Sequence, residues 1–261
     1  MEVFSTGYAL LATQCALLDM ITPELRAVVI DVCKKEKLLY MRIYYEGEAS
    51  EERIDLWDCV ITEASADLGP DCILDNEVER LDYPQEIPSR GRYAYLRRES
   101  SLLLTQNFSE TPAIITREIK NFHEKIGVFI SPVSEEKVST SWGVIHAAKD
   151  ERHIIPARPT SYQIKEITPI AYALLAIQRA LLGLATPELR SIVADIQDQE
   201  LYIRFYYDKG ISHEILESWE YAITKSIADV GPDYLFDTGI ERLDYPQEIP
   251  FRGRYAYLRK E

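Results

Sequence analysis

The chain has 261 residues, 46% of them hydrophobic and 28% charged, and its formal net charge at pH 7 is -14. A charge this negative argues against direct binding of nucleic acid and favours a basic partner. No apolar run approaches the roughly 18 residues of a membrane-spanning helix. No basic start precedes the first apolar stretch either, so we expect neither a membrane contact nor a signal peptide.

The chain contains one sequence twice. RLDYPQEIPSRGRYAYLRRE at 80–99 returns at 242–261 with two differences, and the similarity reaches upstream through TPELR, at 22–26 and again at 186–190. The differing pairs are Ser89/Phe251 and Arg98/Lys260. A unit of this size can form its own small core, so the pattern indicates a tandem duplication of a domain.

Three segments follow from the duplication: a first copy at 1–99, an insert at 100–168 and a second copy at 169–261. Their net charges are -9, 0 and -5, so two acidic copies flank a neutral insert. The cysteines all lie in the first copy, at Cys15, Cys33, Cys59 and Cys72. A disulfide or zinc framework would be needed in both copies, so we expect reduced thiols and a cytoplasmic protein.

In the first copy, YALLATQCALLDM (8–20) predicts a short apolar helix that ends at Thr22-Pro23. The β-branched stretch 25–32 and the aromatic stretch 39–47 predict an antiparallel hairpin. The first copy carries two extra residues between these stretches, where CKKEKLL stands against QDQEL. A length change is best tolerated in an exposed turn, which supports the hairpin.

A second helix is predicted after Ser50, which can cap it, with an apolar face that includes Trp57 and Val60. Gly69 ends that helix. RLDY is then expected to be extended, while the two prolines of PQEIP exclude a central strand. RGR predicts a turn into a closing strand, YAYLR.

The predicted fold class is therefore α+β. Each copy is expected to be a homologous αββαββ domain, with a mainly antiparallel four-stranded sheet and helices on one face. The insert joins the two copies as a small β-rich segment, to which residues 112–124 add one predicted helix beginning near Pro112.

The copies show no catalytic motif. Neither a glycine-rich phosphate loop nor a shared set of His, Cys, Ser and acidic residues occurs in both, so we expect no metal site, no cofactor and no catalytic residue there. Carboxylates do follow the second helix, and we interpret them as solvated side chains rather than an acid pair. These are Asp67, Asp71 and Asp75, with Asp229, Asp233 and Asp237 in the second copy.

Acidic residues concentrate at the end of the second strand and the start of the second helix. Several acids on one edge exceed what helix capping requires, so they predict a binding surface for a basic partner. They are Glu46, Glu48, Glu51, Glu52, Asp55 and Asp58, with Asp208, Glu214, Glu217 and Glu220 in the second copy. Tyr83 and Tyr245, in the repeated LDYPQEIP segment, are the alternative contact residues.

Each copy resembles the small acidic immunity proteins that accompany bacterial polymorphic and contact-dependent growth inhibition toxins. The resemblance rests on the order of TPELR, a strand of the type MRIYYEG or IRFYYDKG, RLDYPQEIP and the closing YAYLR segment. It implies a non-enzymatic cytoplasmic protein that binds and neutralises a cognate toxin. An acidic surface suits a basic nuclease, since charge complementarity speeds the encounter.

The insert resembles the C-terminal end of a polymorphic toxin domain of type 50. The matching run is HIIPARP at 153–159, preceded by Thr140, Gly143 and Ile145. That family is a predicted metal-independent RNase, in which histidines would move protons and a cation would steady phosphate charge. The resemblance implies His146, His153 and Arg158 as the candidates for those roles.

Three hypotheses remain open from the sequence. The leading one is a tandem immunity protein without turnover, which the acidic copies favour. The second is RNase activity carried by the insert, which the histidines favour. The third is a general pair of protein-interaction domains unrelated to toxins.

Overall fold

A computed structural model describes most of both copies and parts of the insert. The described residues are 5–88, 90–99, 119–121, 127–130, 137–147, 152–159 and 168–261. The chain divides by its internal contacts into two compact units, Met1–Ser101 with Leu258–Glu261, and Leu102–Tyr257. The segment boundaries 1–99, 100–168 and 169–261 remain a prediction.

The first copy has the predicted order of helix, two strands, helix, two strands. Its elements are α1 Thr6–Ala16, β1 Leu25–Cys33, β2 Leu38–Tyr45, α2 Glu51–Leu68, β3 Ile73–Arg80 and β4 Arg92–Leu96. The strands are ordered β3-β2-β1-β4. β1 pairs antiparallel with β2 and β4, whereas β2 and β3 are parallel because α2 connects them. The predicted α+β class with a mainly antiparallel sheet is confirmed.

Five β-strands of the insert lie within the described residues, as the β-rich interpretation predicted. They are β5 Ile119–Asn121, β6 Gly127–Ile130, β7 Lys137–Thr140, β8 Trp142–Ala147 and β9 Arg152–Pro156. β8 pairs antiparallel with β5 and β9, and β6 pairs antiparallel with β7.

The second copy repeats the first. It consists of α3 Pro169–Leu181, β10 Leu189–Gln197, β11 Glu200–Tyr207, α4 His213–Val230, β12 Leu235–Arg242 and β13 Arg254–Leu258, with the strand order β12-β11-β10-β13. The length difference between the copies lies in the hairpin, as predicted. Cys33 pairs with Leu38 in the first copy, whereas Gln197 pairs with Glu200 across a shorter turn in the second.

The helices pack on one face of each sheet. In the first copy Trp57 and Val60 of α2 are buried, together with Val28 and Ile30 of β1. The rings of Tyr45 and Trp57 lie 5.1 Å apart. Alternate residues of a strand point to opposite faces, so Val28 and Ile30 define the helix-facing side of the sheet.

The other face of the sheet is covered by the repeated LDYPQEIP segment, here named the repeated loop (residues 81–88 and 243–250). Ala27 and Val29 of β1 form a buried cluster with Tyr44, and Leu81 and Ile87 of the repeated loop pack against it. Both faces of the central strand are therefore buried, which explains the continuous apolar run AVVI at 27–30 within β1.

Three details differ from expectation. Ser50 precedes α2, but its side chain makes no capping hydrogen bond, whereas Ser212 accepts one from the Ile215 amide at 3.3 Å. The third strand was expected at RLDY (80–83) but spans Ile73–Arg80. The observed strand therefore ends at the residue where the predicted one begins. The predicted helix at 112–124 is wrong at Ile119–Asn121, which form a strand, and its other residues lie outside the described part of the chain.

The unit Met1–Ser101 also contains the last four residues of the chain. The Asp19 amide donates to the carbonyl oxygen of Leu258, and the Lys260 amide donates to that of Ile21, both at 3.1 Å. Within the described residues, no helix is long and apolar enough to cross a membrane.

Candidate partner-binding surfaces

A buried arginine of the TPELR motif holds the repeated loop in the first copy. Arg26 is fully buried. Its guanidinium donates to the carbonyl oxygen of Leu81, to that of Gln85 at 3.0 Å, and to the Glu99 carboxylate. The planar guanidinium can satisfy several acceptors at once, which allows the charge to be buried.

The second copy repeats this anchor. Arg190 is 1% exposed and donates to the carbonyl oxygens of Leu243 at 2.7 Å and Gln247 at 3.1 Å. TPELR and LDYPQEIP therefore recur together because the arginine of one binds the backbone of the other. This role of the arginine was not predicted from the sequence, although the repetition of TPELR was the available signal.

The repeated loop presents a tyrosine to solvent in each copy. Tyr83 is 51% exposed and Tyr245 62% exposed, and each precedes a cis proline. The Arg190 guanidinium lies 5.9 Å from the centre of the Tyr245 ring. Exposed tyrosines are frequent anchors of protein interfaces, so both side chains are placed where a partner can contact them.

Beside the loop, each sheet carries a tyrosine ring that contacts two guanidinium groups. Arg42 lies 4.1 Å and Arg90 4.3 Å from the centre of the Tyr40 ring. Burial acts to lower the pKa of Arg42, but its hydrogen bond to Asp75 and nearby charges raise that pKa overall. Arg42 is therefore a cation, and its guanidinium lies 2.7 Å from the carboxylate of Asp75 on the edge strand β3.

The second copy has the same arrangement. Arg204 lies 4.5 Å and Arg252 4.4 Å from the centre of the Tyr202 ring, and Arg204 pairs with Asp237 at 2.6 Å. Such stacking of a cation on a ring stabilises the sheet surface. Arg42 and Arg204 each contact a tyrosine ring and pair with an aspartate, so we assign them a structural role.

The predicted acidic surface of the first copy lies mainly on the first two turns of α2. Glu46 is half-buried and pairs with Arg97 at 2.7 Å, so it contributes less to the surface. The others are solvent-exposed: Glu48, Glu51, Glu52, Asp55 and Asp58.

In the second copy the predicted acids are less uniform. Asp208 is 6% exposed, so it lies below the surface that a partner can touch. Glu214 is exposed, whereas Glu217 and Glu220 are half-buried on α4. His213 Nδ1 lies 3.3 Å from the Glu217 carboxylate. The acidic surface is thus broader on α2 than on α4.

The insert places its candidate residues on and just after a strand pair. His146 and His153 occupy directly opposite positions on β8 and β9. Arg158 is 2% exposed and packs on α4, where its Nε donates to the carbonyl oxygen of Val230 at 2.6 Å and its guanidinium pairs with Asp233. A role in steadying phosphate charge would require Arg158 to leave these partners.

The end of α4 forms what we name the arginine site: Ala228, Val230, Gly231 and Asp233. The Arg158 amide donates to the carbonyl oxygen of Ala228 at 2.7 Å. A Cβ built on Gly231 would lie 2.7 Å from Arg158 Nε, so glycine makes room for the side chain. Backbone carbonyls, a carboxylate and a glycine together hold this one arginine.

The equivalent residues of the first copy, Ala66, Leu68, Gly69 and Asp71, have a different environment. Ala66 and Asp71 are exposed, and a Cβ built on Gly69 would meet no described atom within 4 Å. Asp71 pairs instead with Lys37 at 2.7 Å, and both side chains are more than half exposed.

The carboxylates after the second helix do not form an acid pair. Three of the four that follow the glycine pair with the cations described above, Asp71 with Lys37, Asp75 with Arg42 and Asp237 with Arg204, and the fourth, Asp233, pairs with Arg158. Among the described residues, no group of three or more potential ligands could hold a metal ion, and no cysteine forms a disulfide.

The two remaining carboxylates, Asp67 and Asp229, differ between the copies. Asp67 is exposed, whereas Asp229 is 6% exposed and lies 3.8 Å from Arg179. Burial raises the pKa of Asp229 to about 6, although the nearby Arg179 and Lys225 act to lower it. The same sequence position is thus a solvated acid in one copy and a buried one in the other.

Comparison with known families finds matches to two different families along the chain. The model of the MafI2 immunity protein family matches residues 7–99 and 171–261, which is both copies. The model of Bacterial toxin 50 matches residues 96–156. The resemblance described above rested on residues from Thr140 onward, so the match extends further upstream. Among curated proteins, none matches the chain significantly.

Proposed function

The chain belongs to the MafI2 immunity protein family, and from this premise we propose that it is a non-enzymatic cytoplasmic protein that binds and neutralises a cognate bacterial toxin. The observation that carries the proposal is the match of the family model to each of the two copies, at 7–99 and 171–261. Among the described residues, Asp71, Asp75, Asp233 and Asp237 pair with cations and not with one another, which favours binding over turnover.

The toxin that we propose as partner is a basic nuclease. The copies have net charges of -9 and -5, and the exposed acids of α2 place much of that charge on one surface. Such a surface accelerates the encounter with a cationic partner. Tyr83 and Tyr245 add one exposed aromatic side chain to each copy, which the partner can contact. Asp208 is excluded from this surface by its burial.

The test of this proposal is direct. The toxin encoded beside this gene is expressed in bacterial cells with and without the full-length chain, and growth is compared. In parallel, the purified proteins are titrated by calorimetry. We expect a stoichiometric complex and restored growth. Continued toxicity, with no heat of binding, would sink the proposal.

A second candidate function is cleavage of RNA by the insert. It is favoured by the match to Bacterial toxin 50 and by the opposite positions of His146 and His153. The commitment of Arg158 to α4 argues against it. Incubation of the full-length chain with total RNA decides the matter. We expect no cleavage, whereas cleavage that His146→Ala or His153→Ala abolishes would establish this second function.

A further inference from the structure

The arginine site of the second copy is filled by a segment of the same chain. The segment follows directly on the region that matches Bacterial toxin 50, and its residues Ala157, Arg158 and Pro159 are all buried. Within this unit, a toxin-like segment and an immunity domain already form an interface. The duplicated domain carries nearly the same residues at 66–71, where Ala66 and Asp71 are exposed.

We propose that Ala66, Leu68, Gly69 and Asp71 of the first copy bind the arginine of an Ala-Arg-Pro segment at the end of a toxin domain of the insert's class. This inference rests on the proposed immunity function and names the partner's contacting segment and the surface that receives it. The occupant is one class of macromolecule, a protein with an exposed C-terminal arginine segment.

The two sites have nearly the same sequence and backbone. ADLGPD at 66–71 differs from ADVGPD at 228–233 at one apolar position. The glycine that ends the helix has φ 101° and ψ 169° in the first copy, and φ 91° and ψ -176° in the second. A side chain is strongly disfavoured in this region of backbone space, so the glycine sets the same geometry in both.

The chemistry of the site suits an arginine in particular. The last carbonyl oxygens of a helix lack partners within the helix and carry its partial negative charge. In the second copy the segment uses the oxygens of Ala228 and Val230, and Asp233 supplies a full negative charge. A planar guanidinium reaches a carbonyl and a carboxylate at once, which a lysine cannot do with the same geometry.

Exposure shows that this surface remains accessible in the first copy. Ala66 and Asp67 are exposed on α2, whereas their equivalents Ala228 and Asp229 are buried on α4. Strands β8 and β9 of the insert pack on α4, which accounts for the difference. The first-copy surface has the residues of the interface without the segment that covers them.

Two contacts of the first copy must adjust. The Ala66 oxygen accepts the Gly69 amide at 3.1 Å, but a carbonyl oxygen has two lone pairs and can accept a second donor. Lys37 pairs with Asp71, yet this ion pair is solvent-exposed and such pairs contribute little stability. An incoming arginine can therefore replace Lys37 at little cost.

The probe for this inference is a fluorescent synthetic peptide with the sequence of residues 142–159, titrated with the full-length chain and followed by anisotropy. We expect saturable binding that Arg158→Ala in the peptide weakens by at least about 30-fold, because it removes the guanidinium that is buried against the helix-end carbonyl oxygen and pairs with the carboxylate. Asp71→Ala in the chain should weaken binding equally. A peptide with Arg158→Asp should regain affinity for a chain with Asp71→Arg.

The matched control is Glu79→Ala, which removes an exposed carboxylate near the end of β3, outside both the acidic surface and the proposed site, and should leave peptide binding unchanged. Asp233→Ala tests whether the peptide exchanges with the insert at the second copy. No saturable binding, binding that ignores Arg158→Ala or Asp71→Ala, or binding lost only with Asp233→Ala would each overturn the inference.

Toxin experiments separate this inference from the proposed function. If the toxin encoded beside the gene is bound and neutralised equally well by the wild-type chain and by Asp71→Arg, the immunity function stands and the arginine inference fails. If neither chain binds the toxin, the proposed function itself fails. Loss of binding in Asp71→Arg, but not in Glu79→Ala, supports both.

Discussion

The ends of α2 and α4 show how one sequence acquires two environments. Both helices end at a glycine within an ADxGPD segment. Each is followed by a strand that pairs parallel with the second strand of its hairpin, β3 with β2 and β12 with β11. The first is exposed to solvent, whereas the second is covered by Arg158 and its strand pair. The comparison teaches that burial at this position depends on what packs against the domain and not on the domain's own residues.

The anchor of the repeated loop shows the opposite behaviour, since it is equivalent in the two copies. Arg26 and Arg190 are both buried, and each binds two carbonyl oxygens of its own loop. All of these groups belong to one copy, so the contact is rebuilt wherever the sequence recurs. The arginine anchor of the repeated loop is thus determined by each copy's own residues, whereas the burial of the α4 end is determined by the insert that packs on it.

The largest effect should come from the anchor and be equal in both copies. Arg26→Ala and Arg190→Ala each remove a buried side chain and the hydrogen bonds of its charged guanidinium to two loop carbonyl oxygens, and we expect each to lower the free energy of unfolding by about 3 to 5 kcal/mol. Chemical denaturation measures this. Arg80→Ala, which removes an exposed partner of Asp82, is the control and should cost no more than about 1 kcal/mol. A large difference between the two anchors would break the equivalence of the copies.

Loss of Arg158 should affect only the unit that contains α4. Arg158→Ala removes the donor to Val230 and the partner of Asp233, and we expect it to cost about 2 to 4 kcal/mol. Lys37→Ala breaks the corresponding exposed pair of the first copy and should cost about 0 to 1 kcal/mol. Equal and small losses in both variants, measured by denaturant titration, would mean that Arg158 contributes nothing beyond a surface pair.

The buried carboxylate of α4 should make stability depend on pH. Its folded pKa of about 6 lies above the value of about 3.9 for an unfolded aspartate. The folded state therefore binds the proton more tightly, and the free energy of unfolding falls as the pH rises from about 4 to about 6, by up to about 3 kcal/mol. Asp229→Asn should remove this dependence and stabilise the chain at neutral pH.

Asp67→Asn is the matched control, because Asp67 is the exposed equivalent in the first copy. Because the Asp67 side chain is solvent-exposed, this substitution should change the free energy of unfolding by no more than about 0.5 kcal/mol. Thermal unfolding of both variants at acidic and neutral pH provides the measurement. If the free energy of unfolding of Asp229→Asn depends on pH as strongly as that of the wild type, the burial of Asp229 has no energetic consequence.

The smallest effect on stability should come from the acids at the helix starts. Reversal of Glu51, Glu52 and Asp55 to Lys, or of Glu214 and Glu217 to Lys, should change the free energy of unfolding by only about 1 kcal/mol. Association with the toxin at low salt should nevertheless slow by roughly tenfold, and more for the first set, whose side chains are more exposed. Stopped-flow kinetics that show unchanged rates in both variants would place the contact on the Tyr83 and Tyr245 loops.

Much of the fold could be predicted from the sequence because it depends on local patterns. The apolar face of α2, the aromatic second strand and the prolines of the repeated loop each favour one local structure. The duplication then required both copies to share it. The third strand was placed too late because ILDNEVER is mostly polar and exposed, so it lacks the apolar alternation that indicates a strand.

The candidate site was predicted less completely, since several of its properties arise from residues distant in the chain. The sequence alone determined that the chain is a duplicated α+β domain with acidic helix starts and a toxin-like insert. Only the tertiary structure decided that Arg26 reaches the backbone 55 residues away at Leu81, and that Arg158 reaches Val230 72 residues away. Burial and hydrogen bonding are properties of the packed chain, and so the nearly identical segments that end α2 and α4 differ in exposure and in the cation that pairs with their last aspartate.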